Sequence, residues 1–126
     1  MDGEDLLRRY YAAYNRGDEA ALRACLAPDV AIVPAAGMAE QVGVEPYLAV
    51  YRRSRALFED IMEPREMAQD ADGVRVDLVN RLTARADVAD FFGLTLARGE
   101  TLTLRLDARY RVADGRIAAI RISARE

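Results

Sequence analysis

A change of period is the feature that most constrains how this chain folds. Up to about residue 61 the apolar residues recur at three- and four-residue intervals, and from Met62 onward they alternate with polar ones. The first spacing builds one apolar stripe on a helix, and the second builds one apolar face on a strand. Helices gathered early and strands gathered late predict an α+β layer architecture, with helices covering one face of a curved antiparallel sheet.

Leu6, Leu7, Tyr10, Tyr11 and Tyr14 share one helical face, with Glu4 and Asp5 in the first turn and Arg16-Gly17 at the stop. Asp18 is placed to cap a short second helix carrying Ala21, Leu22, Cys25 and Leu26, which Pro28 ends. Val30-Ala31-Ile32-Val33 reads as a short buried strand, and Ala35 to Val42, with Gly37 and no period, as a loop. A third helix is predicted from about Val44 to Asp60. Tyr47, Val50, Tyr51, Ser54, Leu57, Phe58 and Ile61 share one face of it, and Pro46 fits its first turn.

Asp72-Gly73 signals a hairpin between a strand ending near Gln69 and one running from Val74 to about Ala86. A loop with Phe91-Phe92-Gly93 follows. From Thr101 to Val112 the residues Leu102, Leu104, Leu106, Ala108, Tyr110 and Val112 alternate against Thr101, Thr103, Arg105, Asp107, Arg109 and Arg111. Asp114-Gly115 then turns the chain into a last strand, Arg116 to Ser123. The predicted order is ααβαββββ, and no linker, repeat or low-complexity tract divides residues 1–126, so a single domain is expected.

Composition removes several chemistries. All 18 basic residues are Arg, and Lys, His and Trp are absent. Lysine Schiff bases and imidazole-dependent triads are therefore excluded, and a single cysteine, Cys25, offers neither an internal disulfide nor a zinc cluster. No metal or organic cofactor is implied. A net charge of -3 argues against nucleic acid as a partner, and the longest uncharged, mostly apolar run, about Val30 to Ala39, is too short to span a membrane. A cytoplasmic location is the default expectation. Proton transfer is left to Asp, Glu, Tyr, Arg and Cys25.

Four stretches resemble the nuclear transport factor 2-like superfamily, in its SnoaL-like and ketosteroid-isomerase-like branch. They are Tyr10-Tyr11-Ala12-Ala13-Tyr14-Asn15-Arg16-Gly17-Asp18, Leu26-Ala27-Pro28-Asp29-Val30, Gly43-Val44-Glu45, and Tyr110-Arg111-Val112-Ala113-Asp114-Gly115-Arg116-Ile117. The resemblance covers nearly the whole chain. It implies a cone: a bent sheet wrapped around a long helix, enclosing an apolar pocket for a small molecule, commonly in a homodimer. The dimer is expected through the charge-rich sheet face. Ketosteroid isomerases use an Asp base beside an oxyanion hole made of a Tyr and a protonated Asp. By that resemblance the Tyr is Tyr10, and the base position falls at Pro34, which takes no proton.

The oxyanion Asp has two placements. Counting back from Gly115 without a gap gives Asp107, which would act with Tyr10 as catalytic residues. Strand alternation instead puts Asp107 among the arginines, on the face opposite Ala108 and Tyr110, because a one-residue slip exchanges the faces. Asp29 and Glu40 are further carboxylate candidates. Tyr14, Tyr47, Tyr51, Phe58 and Tyr110 are the expected ligand-lining aromatics. Asn80 is singled out because it lies on the apolar face of its strand with Val76, Leu78 and Leu82, where a buried amide must find a partner or a ligand. The function these features imply is an isomerase, cyclase or dehydratase acting on an apolar carbonyl compound by carboxylate and tyrosine chemistry, or a non-catalytic ligand-binding module of the same fold.

Overall fold

The computed structural model describes residues 3–34, 39–91 and 93–125. Helix α1 (Gly3–Arg16) stops at Gly17, whose φ of 75° suits a residue without a side chain. Asp18 then caps α2 (Glu19–Cys25) as its sequence position predicts, its carboxylate accepting from the Ala21 N–H at 3.1 Å. Strand β1 (Leu26–Val33) begins four residues earlier than the period suggests. Its pairing slips between Leu26 and Ala31, and Pro28 is accommodated in that irregular stretch. Part of the predicted loop, residues 35–38, lies outside the described residues, and the rest includes a short β2 (Gln41–Val42).

Helix α3 (Val44–Leu57) ends three residues before its predicted end. The Phe58 N–H still bonds to the Ser54 carbonyl, but Phe58 itself is extended, and β3 (Phe58–Gln69) starts with no intervening loop. The misplacement has a simple cause: Phe58 and Ile61 continue the helical stripe of Tyr47, Tyr51 and Ser54, while Phe58, Asp60 and Met62 equally fit a strand whose inner face they form. The inner face is the one the fold uses, since Phe58, Asp60 and Met62 are buried and Glu59 is exposed.

Strands β4 (Gly73–Ala84), β7 (Thr101–Ala113) and β8 (Arg116–Ala124) complete the expected meander. A small separate hairpin, β5 (Val88–Phe91) and β6 (Leu94–Leu96), occupies the predicted loop, in which residue 92 lies outside the described residues. The main sheet runs β2-β1-β8-β7-β4-β3, antiparallel except for the parallel β1–β8 pair. At the β3–β4 turn Gly73 passes so close to the Tyr110 carbonyl that an added Cβ would stand 1.9 Å from it. That close approach fixes the register of β4 on β7.

The inner face of the sheet buries two apolar clusters. The larger gathers α1, α2 and α3 against Val74, Val76, Leu78, Ala108 and Tyr110, and the smaller holds Phe58, Leu82, Ala84, Val88 and Leu96. Among the described residues no helix is long and apolar enough to cross a membrane.

Candidate functional site

A polar seam separates the two clusters. On β3 the inward residues run Phe58, Asp60, Met62, and on β4 they run Leu82, Asn80, Leu78. In each strand the outer members of the trio belong to different clusters and the polar residue lies between them. Asp60 is 1% exposed and Asn80 7%. Leaving either without partners would cost about 1–3 kcal/mol per unsatisfied group, so the seam must be internally bonded.

It is. Asp60 Oδ2 accepts the Tyr14 hydroxyl at 2.7 Å and the Ser54 hydroxyl at 2.7 Å, while Oδ1 accepts the Asn80 Nδ2 at 2.8 Å. Asn80 donates a second bond to the Ile61 carbonyl at 3.0 Å. Ser54 reaches Asp60 because α3 feeds straight into β3, so a residue of the last helical turn stands over the first inward polar position of the strand. Asn15 secures the same corner, its side chain bonding both the N–H and the carbonyl of Met62 at 2.8 Å. A carboxylate offers about four acceptor positions, and with three filled the remaining one is on Oδ1.

Tyrosines surround this carboxylate. Tyr14 packs edge-on to Tyr51 with ring centroids 4.8 Å apart, and Tyr51 donates its hydroxyl to the Tyr14 carbonyl at 2.6 Å. Tyr10 lies 6.2 Å from Tyr14 and 5.8 Å from Tyr110, ring to ring, and shares a hydroxyl hydrogen bond with Tyr47. Tyr11 donates to the Tyr110 hydroxyl at 2.8 Å. Burial pushes the phenols of Tyr10, Tyr14 and Tyr47 well above their ordinary range, and the negative charge of Asp60 adds to the rise at Tyr10 and Tyr14. Tyr11 and Tyr110 move up for the same first reason. These groups are therefore neutral hydroxyl donors at ordinary pH.

The structure thus brings Tyr10, Tyr14, Tyr47, Tyr51, Tyr110 and Asn80 to one interior. Phe58 is also inside, but on β3 and in the smaller cluster rather than on α3. Asp107 is not there. Its strand places Ala108 and Tyr110 inward, and Asp107 lies on the outer face, opposite Asp77 and 3.3 Å from Arg75. The alternation reading is correct and the gapless count is not, so the pairing of Asp107 with Tyr10 fails on geometry. Asp29 and Glu40 are exposed and border outer-face clefts of about 630 and 240 Å³ respectively. Cys25 is a buried core residue whose thiol burial pushes up.

Sequence reasoning missed Asp60 and gave Ser54 no role. The available signal was the alternation Phe58, Asp60, Met62, which the helical stripe concealed. Beside the seam the apolar inner face is incompletely covered. Leu104 pairs with Asn80 across β4–β7, and Leu102, Leu104, Leu106 and Ile122 on the inner face are only partly buried.

Comparison with known proteins agrees with this architecture. No curated protein matches the sequence at a significant level. Among solved structures, a candidate polyketide cyclase from Xanthomonas campestris superposes with a TM-score of 0.84 at 26% identity, covering 98% of this chain and 90% of that one. Another candidate polyketide cyclase, from Pseudomonas putida, gives 0.82 at 27% identity over 97% and 90%. IdmH from Streptomyces antibioticus, also a candidate polyketide cyclase, gives 0.78 at 26% identity over 97% and 91%. Residues 7–120 match the model of the SnoaL-like domain, and with its α+β cone the chain belongs to the SnoaL-like family of the nuclear transport factor 2-like superfamily.

Proposed function

We propose that this chain is a SnoaL-type small-molecule protein whose chemistry centres on Asp60, and that it acts on an apolar carbonyl compound as an isomerase, cyclase or dehydratase. The observation that carries the reading is the fully buried Asp60 carboxylate, held by Tyr14, Ser54 and Asn80 between two apolar clusters. Three reactions of this kind share a first step, removal of a proton from carbon next to a carbonyl. The open position on Asp60 Oδ1 accepts that proton, and the C–H electron pair moves into the carbonyl to give an enolate. The enolate oxygen then accepts a hydrogen bond from the neutral Tyr10–Tyr47 hydroxyl pair. Asn80 and Ser54 are positioning residues, because they fix the carboxylate without meeting the reacting atoms.

Hydrogen–deuterium exchange at the α-carbon of 2-tetralone tests the step without knowledge of the natural substrate. The wild-type protein should accelerate exchange, Asp60→Asn should lose about 100-fold or more of that acceleration, and Asp107→Asn should keep it. Equal losses in the two variants would refute the assignment.

A second reading has its own support. Tyr10 with Tyr47, and Tyr11 with Tyr110, spend their hydroxyls on each other, as expected of an interior filled by its own aromatics. Saturable binding of 2-tetralone with no exchange above the uncatalysed rate would favour this non-catalytic ligand-binding module. A homodimer through the outer sheet face belongs to the same proposal; sedimentation equilibrium at micromolar concentration should give twice the chain mass, and a single-chain mass would count against it.

A further inference from the structure

The outer face of the sheet gathers arginines that have no carboxylate of their own. Register places Arg75, Arg109 and Arg121 directly opposite one another across β4, β7 and β8, with Arg111 two residues further along β7 on the same face. Other arginines of the sheet are matched: Arg75 with Asp107, Arg81 with Glu63 and Arg125 with Asp77. Among the described residues Arg109, Arg111 and Arg121 form no ion pair. Side chains directly opposite in a sheet stand with Cβ atoms about 4.5–5.5 Å apart, so like charges there repel and an anion between them is favoured.

The surface beside this row is hollow. Arg111 lies opposite Gly73 on β4 and Ala119 on β8, and Ala119 pairs in turn with Ala31 on β1. That strip without bulky side chains floors the cleft of about 240 Å³ that Arg75, Arg109, Arg111 and Arg121 line. Three carboxylates also border the cleft, Asp70 and Asp72 at the β3–β4 turn and Glu40 just before β2. None is ion-paired with these arginines, and Asp70 instead accepts the N–H groups of Asp72 and Gly73 at 2.8 and 3.0 Å. Positive charge is thus gathered over the middle strands, with negative charge at both ends. Guanidinium groups present planar forks that match phosphate oxygens two at a time. An extended polyanion would run onto the terminal carboxylates, whereas a single phosphate group stays between them. We infer that this cleft binds one phosphate group, free or in a small monoester, with Arg109, Arg111 and Arg121 as its contacts. The site lies within one chain and is separate from Asp60, so it depends neither on pairing with a second copy nor on the chemistry of the inner seam.

Inorganic phosphate, phenyl phosphate and chloride, compared at matched ionic strength, test this on the ¹⁵N-labelled chain, with binding followed at the Arg109 and Arg121 Nε signals. Both phosphates should bind saturably and about tenfold or more tightly than chloride. Tighter binding of phenyl phosphate would mark a monoester as the ligand, and the reverse order a free ion. Arg109→Gln and Arg121→Gln should each weaken phosphate binding by about tenfold. Arg81→Gln, which removes the same charge from a paired arginine of the same face, should leave it unchanged. Chloride shifts as large and as saturable as those of phosphate, or equal weakening in the Arg81 variant, would reduce the effect to charge screening and overturn the inference.

Discussion

Asp60 and Asp107 lie on opposite faces of the same sheet and show how differently one residue type is used. Asp107 is on the outer face, where cross-strand rows of like charge, such as Arg75–Arg109–Arg121 and Asp77–Asp107, are tolerated because water screens them. It finds an arginine at 3.3 Å, as many surface acids do. Asp60 is on the inner face, and every one of its bonds is to a neutral donor from a different element: Tyr14 on α1, Ser54 on α3 and Asn80 on β4. An exposed ion pair can be lost at little cost. A buried acid that three elements converge on cannot, so the inner aspartate organises the fold, and it is the acid to which the proposed function assigns the chemistry.

The contrast predicts unequal responses to perturbation. The largest comes from pH. Tyr10, Tyr11, Tyr14, Tyr47, Tyr51 and Tyr110 all have their phenol ionisation raised by burial. A group raised in the folded state binds more protons folded than unfolded above its ordinary value. The stability it supports is therefore complete below pH of about 10 and falls as pH rises beyond it. Tyrosinate absorbance should stay flat through the range where free tyrosine titrates and then rise in one step with loss of near-ultraviolet dichroism. A gradual rise at ordinary tyrosine values with dichroism intact would show that the interior is open to water.

Next in size is Asp60→Ala, which strands the hydroxyls of Tyr14 and Ser54 and the amide of Asn80. A loss of about 3–5 kcal/mol in urea unfolding is expected. Tyr14→Phe removes one bond to the carboxylate and should cost about 2 kcal/mol, while Tyr11→Phe, which removes a bond between neutral hydroxyls, should cost about 1 kcal/mol. Asp107→Ala should cost less than about 1 kcal/mol. If the Asp107 variant proved as unstable as the Asp60 variant, the distinction between the faces would collapse.

The same comparison explains what was legible in the sequence. The α+β class, the meander and the outer placement of Asp107 follow from alternation over Leu102 to Val112, because a face of six apolar positions admits one orientation in a sheet. The Asp18 cap and the Asp72-Gly73 turn were equally readable, since their chemistry is local. Asn80 announced itself as a polar residue in an apolar register, although its partner did not. That partner was hidden because residues 57–61 satisfy two periods at once, and only the packing of β3 against β4 decides between them. Ser54 gains its role from the same junction. The buried acid of the seam therefore sits where local pattern is ambiguous and tertiary pairing settles the matter.

The central claim, that ligand meets this protein at the inner seam, is tested most directly by titrating 2-tetralone into the uniformly ¹⁵N-labelled wild-type chain and recording side-chain resonances from both faces. The account predicts a saturable shift of the Asn80 amide, with the Arg75 and Arg109 guanidinium signals unmoved. Saturable shifts at Arg75 and Arg109, with the Asn80 amide stationary, would contradict it.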